Sequence, residues 1–396
     1  MNPVEPFDRN VYILGAGFSA AAGAPLLNTF LDVSLRLWED PEAPLDDAQR
    51  SDFGKVFQFR REMSQAREKV RIDLDNVEHL FGLIDIAERL SPDGVETRQA
   101  ILTLIARTLE LTTNKDSLPV IGFRPQNVVP PHIAHLPQAY ARGQHSTPPE
   151  FRADIYSHFA GIVSGLLDPP DKRRKRQDTV ITFNYDLILD RALRKVGMGV
   201  DYRLPNAKSS SAGPAVALIK LHGSINWAIC RKCGNVQMTD TDESWTTTRS
   251  CSKCQQVAVP LLIPPSWNKA SSNSFSTDAL FSLWNAAAEA LRTATRICVI
   301  GYSIPETDAF FRYLLTIALA RNHHLSTFLL VDPAPTVNAK LQELLEPIFL
   351  ERRYKHFPCS FAEALSNTNF YNSLRRGHEV SPNFSSYGPM PRNNLF

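Results

Sequence analysis

Long apolar runs are missing from this chain of 396 residues. No stretch approaches the roughly 18 consecutive apolar residues of a membrane-spanning helix, so we expect no transmembrane segment. The opening stretch, MNPVEPFDRN, contains acidic residues and no apolar centre, so we also expect no secretory signal peptide. The distribution of the cysteines, described below, suits a reduced compartment, so we expect a protein of the cytoplasm.

An excess of charge of either sign is also absent. Lys and Arg total 43, Asp and Glu total 41, and the formal net charge is +2 at pH 7. Such a balance does not favour a chain that binds nucleic acid or membranes through its overall charge, so we expect neither partner. Hydrophobic residues make up 43% of the chain and charged residues 21%, which is ordinary for a globular protein.

Cysteine is scarce, and most of it is concentrated in one window. Of the 6 cysteines, four form two C-x2-C pairs, Cys230 with Cys233 and Cys251 with Cys254, on either side of residues 234–250. This spacing is typical of a zinc ribbon, in which four thiolates surround Zn²⁺ and leave no open position for chemistry. We therefore predict a structural zinc module over residues 228–258. The alternative is four thiols without a ligand.

Short runs of apolar and β-branched residues alternate with helical patterns. The predicted strands cover residues 11–14, 179–183, 216–221, 296–300 and 327–331. The predicted helices run from Ser19 past Pro25 and over residues 28–38, 151–167, 187–196, 308–320 and 337–348. This alternation predicts an α/β fold, a Rossmann-like parallel sheet with helices on both faces.

The same patterns predict how the chain is divided. Residues 1–30 and 151–365 carry the sheet patterns, so we expect them to form one Rossmann-like domain. Residues 52–111 have helical periodicity and residues 113–150 look irregular, so residues 31–150 are expected to form a large helical insertion. The polar residues 366–396 are expected to form a C-terminal tail.

A glycine turn follows the first predicted strand. Gly15-Ala16-Gly17-Phe18-Ser19-Ala20 fits the pattern G-x-G-x-x-A between a strand and a helix. In such a turn glycine lets the backbone approach a pyrophosphate, which the helix N-terminus also attracts. The alternative is a tight turn without a ligand. No acidic residue is evident on a second strand about 20 residues later, so an ordinary NAD dehydrogenase is disfavoured.

Polar residues follow three further predicted strands, namely Asn184 with Asp186, His222, and Gly301 with Ser303. The ends of parallel strands lie along one edge of the sheet, where ligands bind. Taken singly, a histidine there is more often structural, and Asn-Tyr-Asp more often caps the next helix. Their shared position favours one site that includes the glycine turn.

These motifs, in this order, resemble those of the Sir2 (sirtuin) family over residues 11–335. The matching positions are Gly15, Ala16, Gly17, Ser19, Gly23 and Pro25 of the nucleotide loop, Asn184-x-Asp186, Leu221-His222-Gly223, the two cysteine pairs, Gly301-x-Ser303, and Asp332. The resemblance implies that NAD⁺ is the substrate and that His222 and Asn184 are catalytic. It also implies that NAD⁺ is bound by Gly15, Ala16, Gly17, Ser19, Gly23, Pro25, Asp186, Gly301, Ser303 and Asp332.

Departures from the family pattern are equally informative. Leu26, Leu27 and Asn28 replace the Asp-Phe-Arg of deacetylating members, and Phe183 replaces a Gln. The strand ending in Phe-Gly-Glu that grips an acyl-lysine peptide has no counterpart. The pattern is similar to the divergent SIR2-like proteins of bacterial anti-phage defence, which hydrolyse NAD⁺ to nicotinamide and ADP-ribose. That resemblance implies a homo-oligomer and a partner defence protein such as a HerA-like ATPase.

Three functions therefore remain open at the level of the sequence. The first is NAD⁺ hydrolysis, in which His222 acts as a base and Asn184 positions the ribose or the water. In this scheme Asp186 accepts a hydrogen bond from the nicotinamide amide, the first glycine turn holds the pyrophosphate, and Gly301 and Ser303 close the adenosine side. The second is NAD-dependent protein deacylation. The third is a non-catalytic sensor of NAD⁺ or ADP-ribose.

Overall fold

The computed structural model of the chain describes residues 8–65, 69–70, 72–90, 94–113, 120–123, 151–167, 178–204, 213–230, 232–239, 249–263, 274–305, 309–367 and 370. Most of the predicted tail at residues 366–396 and most of the segment at residues 113–150 lie outside these ranges. No helix in the described part of the chain is long and apolar enough to cross a membrane.

Strands and helices alternate along the described residues. The strands are β1 (Asn10–Leu14), β2 (Val120–Phe123), β3 (Phe151–Asp154), β4 (Thr179–Thr182), β5 (Gly199–Asp201), β6 (Ala215–Lys220), β7 (Gly223–Cys230), β8 (Val236–Met238), β9 (Arg249–Ser250), β10 (Val257–Leu262), β11 (Arg296–Ile300), β12 (Thr327–Val331) and β13 (Tyr354–Phe357). The helices are α1 (Ala16–Ser19), α2 (Phe30–Glu39), α3 (Asp47–Ser64), α4 (Val77–Leu90), α5 (Gly94–Thr112), α6 (Ile155–Val163), α7 (Ile188–Lys195), α8 (Ser274–Thr293), α9 (Ala309–Leu319), α10 (Pro335–Leu344), α11 (Pro347–Arg353) and α12 (Phe361–Ser366), and a 3₁₀ turn spans Ala20–Ala22.

A seven-stranded sheet forms the centre of the molecule, in the order β13-β12-β11-β1-β4-β6-β5. Every neighbouring pair in it is parallel. All five residues of β1 are buried, because a parallel sheet flanked by helices is covered on both faces. The predicted Rossmann-like fold class is confirmed.

The order of the strands also locates the place for a ligand. From β1 the chain adds β4, β6 and β5 on one side, and later adds β11, β12 and β13 on the other. The direction of growth therefore reverses at β1. In open α/β sheets the crevice beyond the carboxyl ends of the strands at such a reversal is where ligands bind.

Helices α2 to α5 lie between β1 and β4 in the chain. Helix α3 packs against α5, and α5 packs against α4. A capping box starts α3, because the Asp46 side chain accepts a bond from the Gln49 amide and the Gln49 side chain accepts one from the Asp46 amide. Side chains on all three helices, among them Phe53, Leu80 and Ile101, are fully buried in the hydrophobic core.

Two smaller sheets accompany the large one. Strands β8, β7, β10 and β9 form a four-stranded sheet, in which the pairs are antiparallel. Strands β2 and β3 form an antiparallel pair, which joins residues 120–123 to the segment that leads into α6.

The structure corrects three predicted helices. Residues 151–154 of the helix predicted over 151–167 are strand β3, because they pair with β2, and α6 begins only at Ile155. The helix predicted from Ser19 past Pro25 is instead the short α1 and a 3₁₀ turn that ends at Gly23, where φ is 89°. The helix predicted over residues 337–348 is two helices, since α10 ends at Leu344 and Pro347 begins α11.

Candidate functional site

Two glycine turns, at the ends of β1 and β11, pack backbone to backbone. The Gly15 amide donates to the Ile300 carbonyl (3.1 Å), and the Gly17 amide donates to the Gly301 carbonyl (2.8 Å). A Cβ atom on Gly15 would lie 2.5 Å from the Gly301 oxygen, and one on Gly301, whose φ is 58°, would lie 2.5 Å from the Gly17 carbonyl carbon. Glycine is therefore required here by contact between the turns themselves.

This packing changes the interpretation of the G-x-G pattern. The amide of Gly17 is bonded to Gly301, and the amide of Phe18 donates to the Gly15 carbonyl (3.0 Å). These N–H groups are thus already satisfied within the protein. The first turn offers an anion fewer donors than the pattern alone suggests, and helix α1 is only 4 residues long.

A buried hydrogen-bond cluster joins the first turn to the end of β4. The Asn184 side-chain nitrogen donates to the Gly15 carbonyl (2.9 Å) and to Ser19 Oγ (2.9 Å). Ser19 Oγ donates to Asp186 Oδ2 (2.7 Å), and Asp186 Oδ1 accepts from the Ile188 amide (3.0 Å). Burial raises the pKa of Asp186, and the nearby Lys220 ammonium partly offsets this. The cluster fixes Asn184 and Asp186 against the turn after β1.

His222 follows β6 and is only 3% exposed. Its ring packs edge to face against Phe183, with 5.1 Å between ring centroids, and Tyr185 lies 6.0 Å away. Phe183 in turn stacks on Tyr302 at 4.2 Å, with only 8° between the ring planes. The imidazole is therefore held among aromatic rings supplied by the ends of β4 and β11.

The backbone at His222 is fixed by Leu261 of β10 and by Ile263, which follows that strand. The His222 carbonyl accepts a bond from the Ile263 amide at 2.9 Å. Gly223 has a φ of 85°, and any side chain there would overlap the Leu261 carbonyl oxygen. Glycine after the histidine is thus required by the turn from β6 into β7.

Lys220, the last residue of β6, connects the segment after β4 with the start of β7 and with α7. Its ammonium group donates to the Asp186 carbonyl (2.5 Å) and to Ser224 Oγ (2.8 Å), and it pairs with Asp190 at 3.2 Å. Only 1% of Lys220 is exposed. Such a buried charge is stable only when it is paired and hydrogen-bonded, so Lys220 ties together the segments that carry Asp186 and His222.

One cavity of about 90 Å³ collects most of the predicted site residues. Those that line it are Gly15, Ala16, Ser19, Pro25, Asn184, Asp186, His222 and Ser303. Gly17 and Gly301 lie directly behind it in the paired turns, and Gly23 ends the 3₁₀ turn in a left-handed conformation. The structure therefore brings residues from four separate segments to one place.

Asp332 lies apart from this lining, at the end of β12. Its Oδ1 accepts a bond from the Ala334 amide at 2.8 Å, and its carbonyl oxygen lies 3.0 Å from His356 Nε2. Burial raises the pKa of its carboxyl group. The end of β12 is linked to the second glycine turn, because the Gly301 amide donates to the Val331 carbonyl at 3.0 Å.

The second wall of the cavity was not found from the sequence. It comes from α2, α4 and α5 through Phe30, Val77, Glu78, Phe81, Ile105 and Leu109. Apolar residues at helical spacing form the same pattern whether they face a core or a cavity, so no signal in the sequence indicated them. Tyr185 and Tyr302 also line the cavity and were overlooked beside their motif neighbours.

The four clustered cysteines fit a zinc ion. Their sulfur atoms all lie within 4.8 Å of one another, and Cys230 Sγ is 3.4 Å from Cys254 Sγ. These separations are far longer than a disulfide bond of about 2.05 Å, and near the roughly 3.8 Å between thiolates placed tetrahedrally about 2.3 Å from zinc. Burial raises the pKa of Cys251, but the amides of Cys254 and Lys253 outweigh it and lower the pKa to about 6.

Comparison with known proteins gives one family model and a set of distant solved structures. Residues 178–353 match the family model of the SIR2-like domain, whereas comparison with curated proteins gives no match. Among solved structures, a mutant Sir2 homologue in complex with ADP-ribose is 14% identical, covers 92% of this chain and 91% of its own, and has a TM-score of 0.41. A Sir2 homologue in complex with NAD is 14% identical, with 92% and 89% coverage and a TM-score of 0.39. Structural similarity this distant assigns no ligand to any residue.

Proposed function

We propose that this chain, which carries a SIR2-like domain over residues 178–353, hydrolyses NAD⁺ to nicotinamide and ADP-ribose. The observation that carries the proposal is the convergence of Asn184, His222 and the first glycine turn on one cavity at the reversal of the sheet. A buried imidazole beside a fixed carboxamide suits a reaction that needs a base and a positioned sugar.

The reaction replaces one bond of the substrate with another. The bond between the ribose C1′ and the nicotinamide nitrogen breaks, and its electron pair stays on the nitrogen, so nicotinamide leaves neutral and needs no general acid. Water oxygen bonds to C1′, which has gained positive charge as in glycoside hydrolysis. The water proton passes to His222 and then to solvent, so the products are nicotinamide, ADP-ribose and H⁺.

The remaining site residues position the substrate. Asn184 holds the ribose or the water, because an amide has no useful proton affinity. Asp186 orients the nicotinamide amide and, through Ser19, the first turn. Gly15, Ala16, Gly17, Gly23 and Pro25 shape the pyrophosphate side. On the adenosine side lie the turn with Gly301 and Ser303 and, at the end of the adjacent β12, Asp332.

The inserted helices favour hydrolysis over protein deacylation. Val77, Phe81, Ile105 and Leu109 supply an apolar wall beside His222 and Asn184. A wall of helices at this position narrows the space beside His222 and Asn184, whereas an acyl-lysine peptide needs an open groove. An apolar wall also lowers the polarity beside the reacting groups, which strengthens charge interactions there.

Zinc and biological role complete the proposal. Cys230, Cys233, Cys251 and Cys254 hold a structural Zn²⁺ that takes no part in the chemistry, because four thiolates leave no open position. A free NAD⁺ hydrolase depletes the NAD⁺ of its own cell, which suits bacterial anti-phage defence in the cytoplasm, as a homo-oligomer or with a partner such as a HerA-like ATPase. Measuring NAD⁺ in phage-infected cells that express the wild type or His222→Ala tests this role.

The activity is tested by following nicotinamide release from NAD⁺ with and without an acetyl-lysine peptide. We expect release without the peptide, a fall of about 10²–10⁴-fold in His222→Ala, and unchanged binding of ADP-ribose by that variant. His324→Ala, which changes an exposed histidine of the same domain, is the matched control and should keep full activity. Release only with the peptide would instead identify a deacylase. Turnover in His222→Ala equal to that of the wild type would exclude His222 as the base.

A further inference from the structure

The inserted helix α4 brings an acidic side chain to the cavity. Glu78 is the second residue of α4 and lines the same space as Asn184 and His222. Among the described residues that line the cavity, only Glu78 and Asp186 carry carboxylates. Asp186 comes from the sheet edge and Glu78 from the wall of inserted helices.

The two carboxylates reach the cavity from different walls. Both oxygens of Asp186 accept bonds from the protein, Oδ2 from Ser19 and Oδ1 from the Ile188 amide, and the buried group lines the cavity. Asp186 therefore holds the loops together as well as facing the cavity. Glu78 is half-buried and stands in a wall otherwise made of apolar side chains such as Val77 and Phe81.

The local backbone supports a negative charge at Glu78. Asn76 Oδ1 accepts bonds from the Glu78 amide (2.8 Å) and the His79 amide (3.4 Å), and the Asn76 carbonyl accepts from the Leu80 amide (3.1 Å). The first turn of α4 is thus well defined. A carboxylate in the first turn also interacts favourably with the positive end of the helix dipole.

We propose that Glu78 is a further catalytic residue, whose carboxylate faces the nicotinamide riboside and stabilises the positive charge that moves to the ribose as nicotinamide leaves. This inference rests on the proposed hydrolysis of NAD⁺. A fixed negative group aimed at developing charge in an apolar cavity stabilises the transition state without reorganising solvent. The insertion then contributes to the chemistry as well as covering the site.

The first measurement is the turnover of Glu78→Gln, which keeps the shape of the side chain and removes its charge. We expect a fall of about 10²-fold in kcat, the usual size for loss of one such electrostatic contact, and a partial recovery in Glu78→Asp. Glu96→Gln is the matched control, because Glu96 is an exposed glutamate in the first turn of the neighbouring inserted helix α5. It should retain wild-type kcat. Wild-type kcat in Glu78→Gln would overturn the proposal.

The second measurement separates this proposal from the hydrolysis itself. Calorimetry compares the single variant His222→Ala with the double variant that adds Glu78→Gln, using NAD⁺ and ADP-ribose as ligands. Adding Glu78→Gln should lower the affinity for NAD⁺, which has a cationic nicotinamide, about tenfold, while affinity for ADP-ribose should change less than about twofold.

Each outcome of this comparison bears on one of the two proposals. Equal affinities for NAD⁺ in the single and double variants would exclude Glu78 and leave hydrolysis standing. If the affinity for NAD⁺ depends on Glu78 but the wild-type protein does not cleave NAD⁺, the contact between Glu78 and NAD⁺ would stand and the proposed hydrolysis would be rejected.

Discussion

The two walls of the cavity are built in different ways. The wall at the sheet edge is held by backbone contacts between glycine turns and by buried polar bonds among Asn184, Ser19 and Asp186. The wall of inserted helices is held by apolar packing of α4 and α5, with Phe81 and Ile105 almost fully buried. Polar bonds and close backbone contacts tolerate little change in geometry, whereas apolar packing tolerates substitutions of similar volume. The wall at the sheet edge therefore suits the precise placement of reacting groups. The wall of inserted helices suits changes in which ligand can enter the cavity.

The largest difference between the walls should appear when a methyl group is added to glycine. Gly301→Ala places a Cβ against the backbone of Gly17 and Phe18 at a φ of 58°, so we expect a loss of about 2–6 kcal/mol in the free energy of unfolding. Gly82→Ala, in α4, meets nothing within 4 Å and should stabilise the protein by up to about 1 kcal/mol. Urea unfolding measures both, and similar stabilities for the two variants would contradict the backbone contact described for the turns.

The next largest effect tests whether the sheet-edge wall depends on the metal. Strand β7 runs from Gly223, beside His222, to Cys230, one of the four cysteines of the proposed zinc site, so loss of a bound ion should loosen this wall alone. We expect Cys233→Ser to lose bound zinc and to speed amide hydrogen exchange in β7 and β10 by about tenfold or more, since structural zinc contributes directly to folding.

Helices α3 to α5 should exchange as in the wild type. Cys359→Ser, which changes a half-buried cysteine outside the cluster, serves as the control and should retain its zinc. Faster exchange throughout the inserted helices would show that the two walls are not independent.

The smallest effect concerns a ring within the sheet-edge wall. Phe183→Gln removes the stacked contact with Tyr302 and the edge-to-face contact with His222, each worth about 0.5–1.5 kcal/mol. We expect kcat to fall a few-fold with little change in KM, because Phe183 positions the imidazole rather than binding substrate. Phe183→Tyr should restore most of kcat. A change in KM alone would assign Phe183 to substrate binding.

The sheet could be predicted because its determinants are local. Strands β1, β4, β6, β11 and β12 were found within a residue or so of their ends, since buried parallel strands form short runs of β-branched and apolar residues. The convergence of Asn184 and His222 followed from the same topology. Strand β13 was missed because its sequence, YKHF, is half-exposed at the sheet edge and has no apolar run.

The rest of the site depends on contacts between distant segments. No local pattern shows that Gly15 and Gly17 must meet Gly301, so the sequence left only a phosphate contact or a tight turn without a ligand as interpretations of the glycines. Strand β3 formed where a helix was predicted because β2, which is distant in the chain, pairs with it. Glu78 is one acid among many, and only packing of α4 over the sheet edge distinguishes it.

The neighbouring positions of β1 and β4 have a consequence for how such proteins diversify. In their parallel register Leu14 lies opposite Thr182, so the long excursion of chain that includes α2 to α5 leaves and rejoins the sheet at adjacent strands. Changes in the length of α2 to α5 therefore need not alter the pairing of β1 with β4. The sheet edge that carries Asn184 and His222 can thus be combined with different inserted helices, and with them different substrates or triggers, while the order of the strands stays the same.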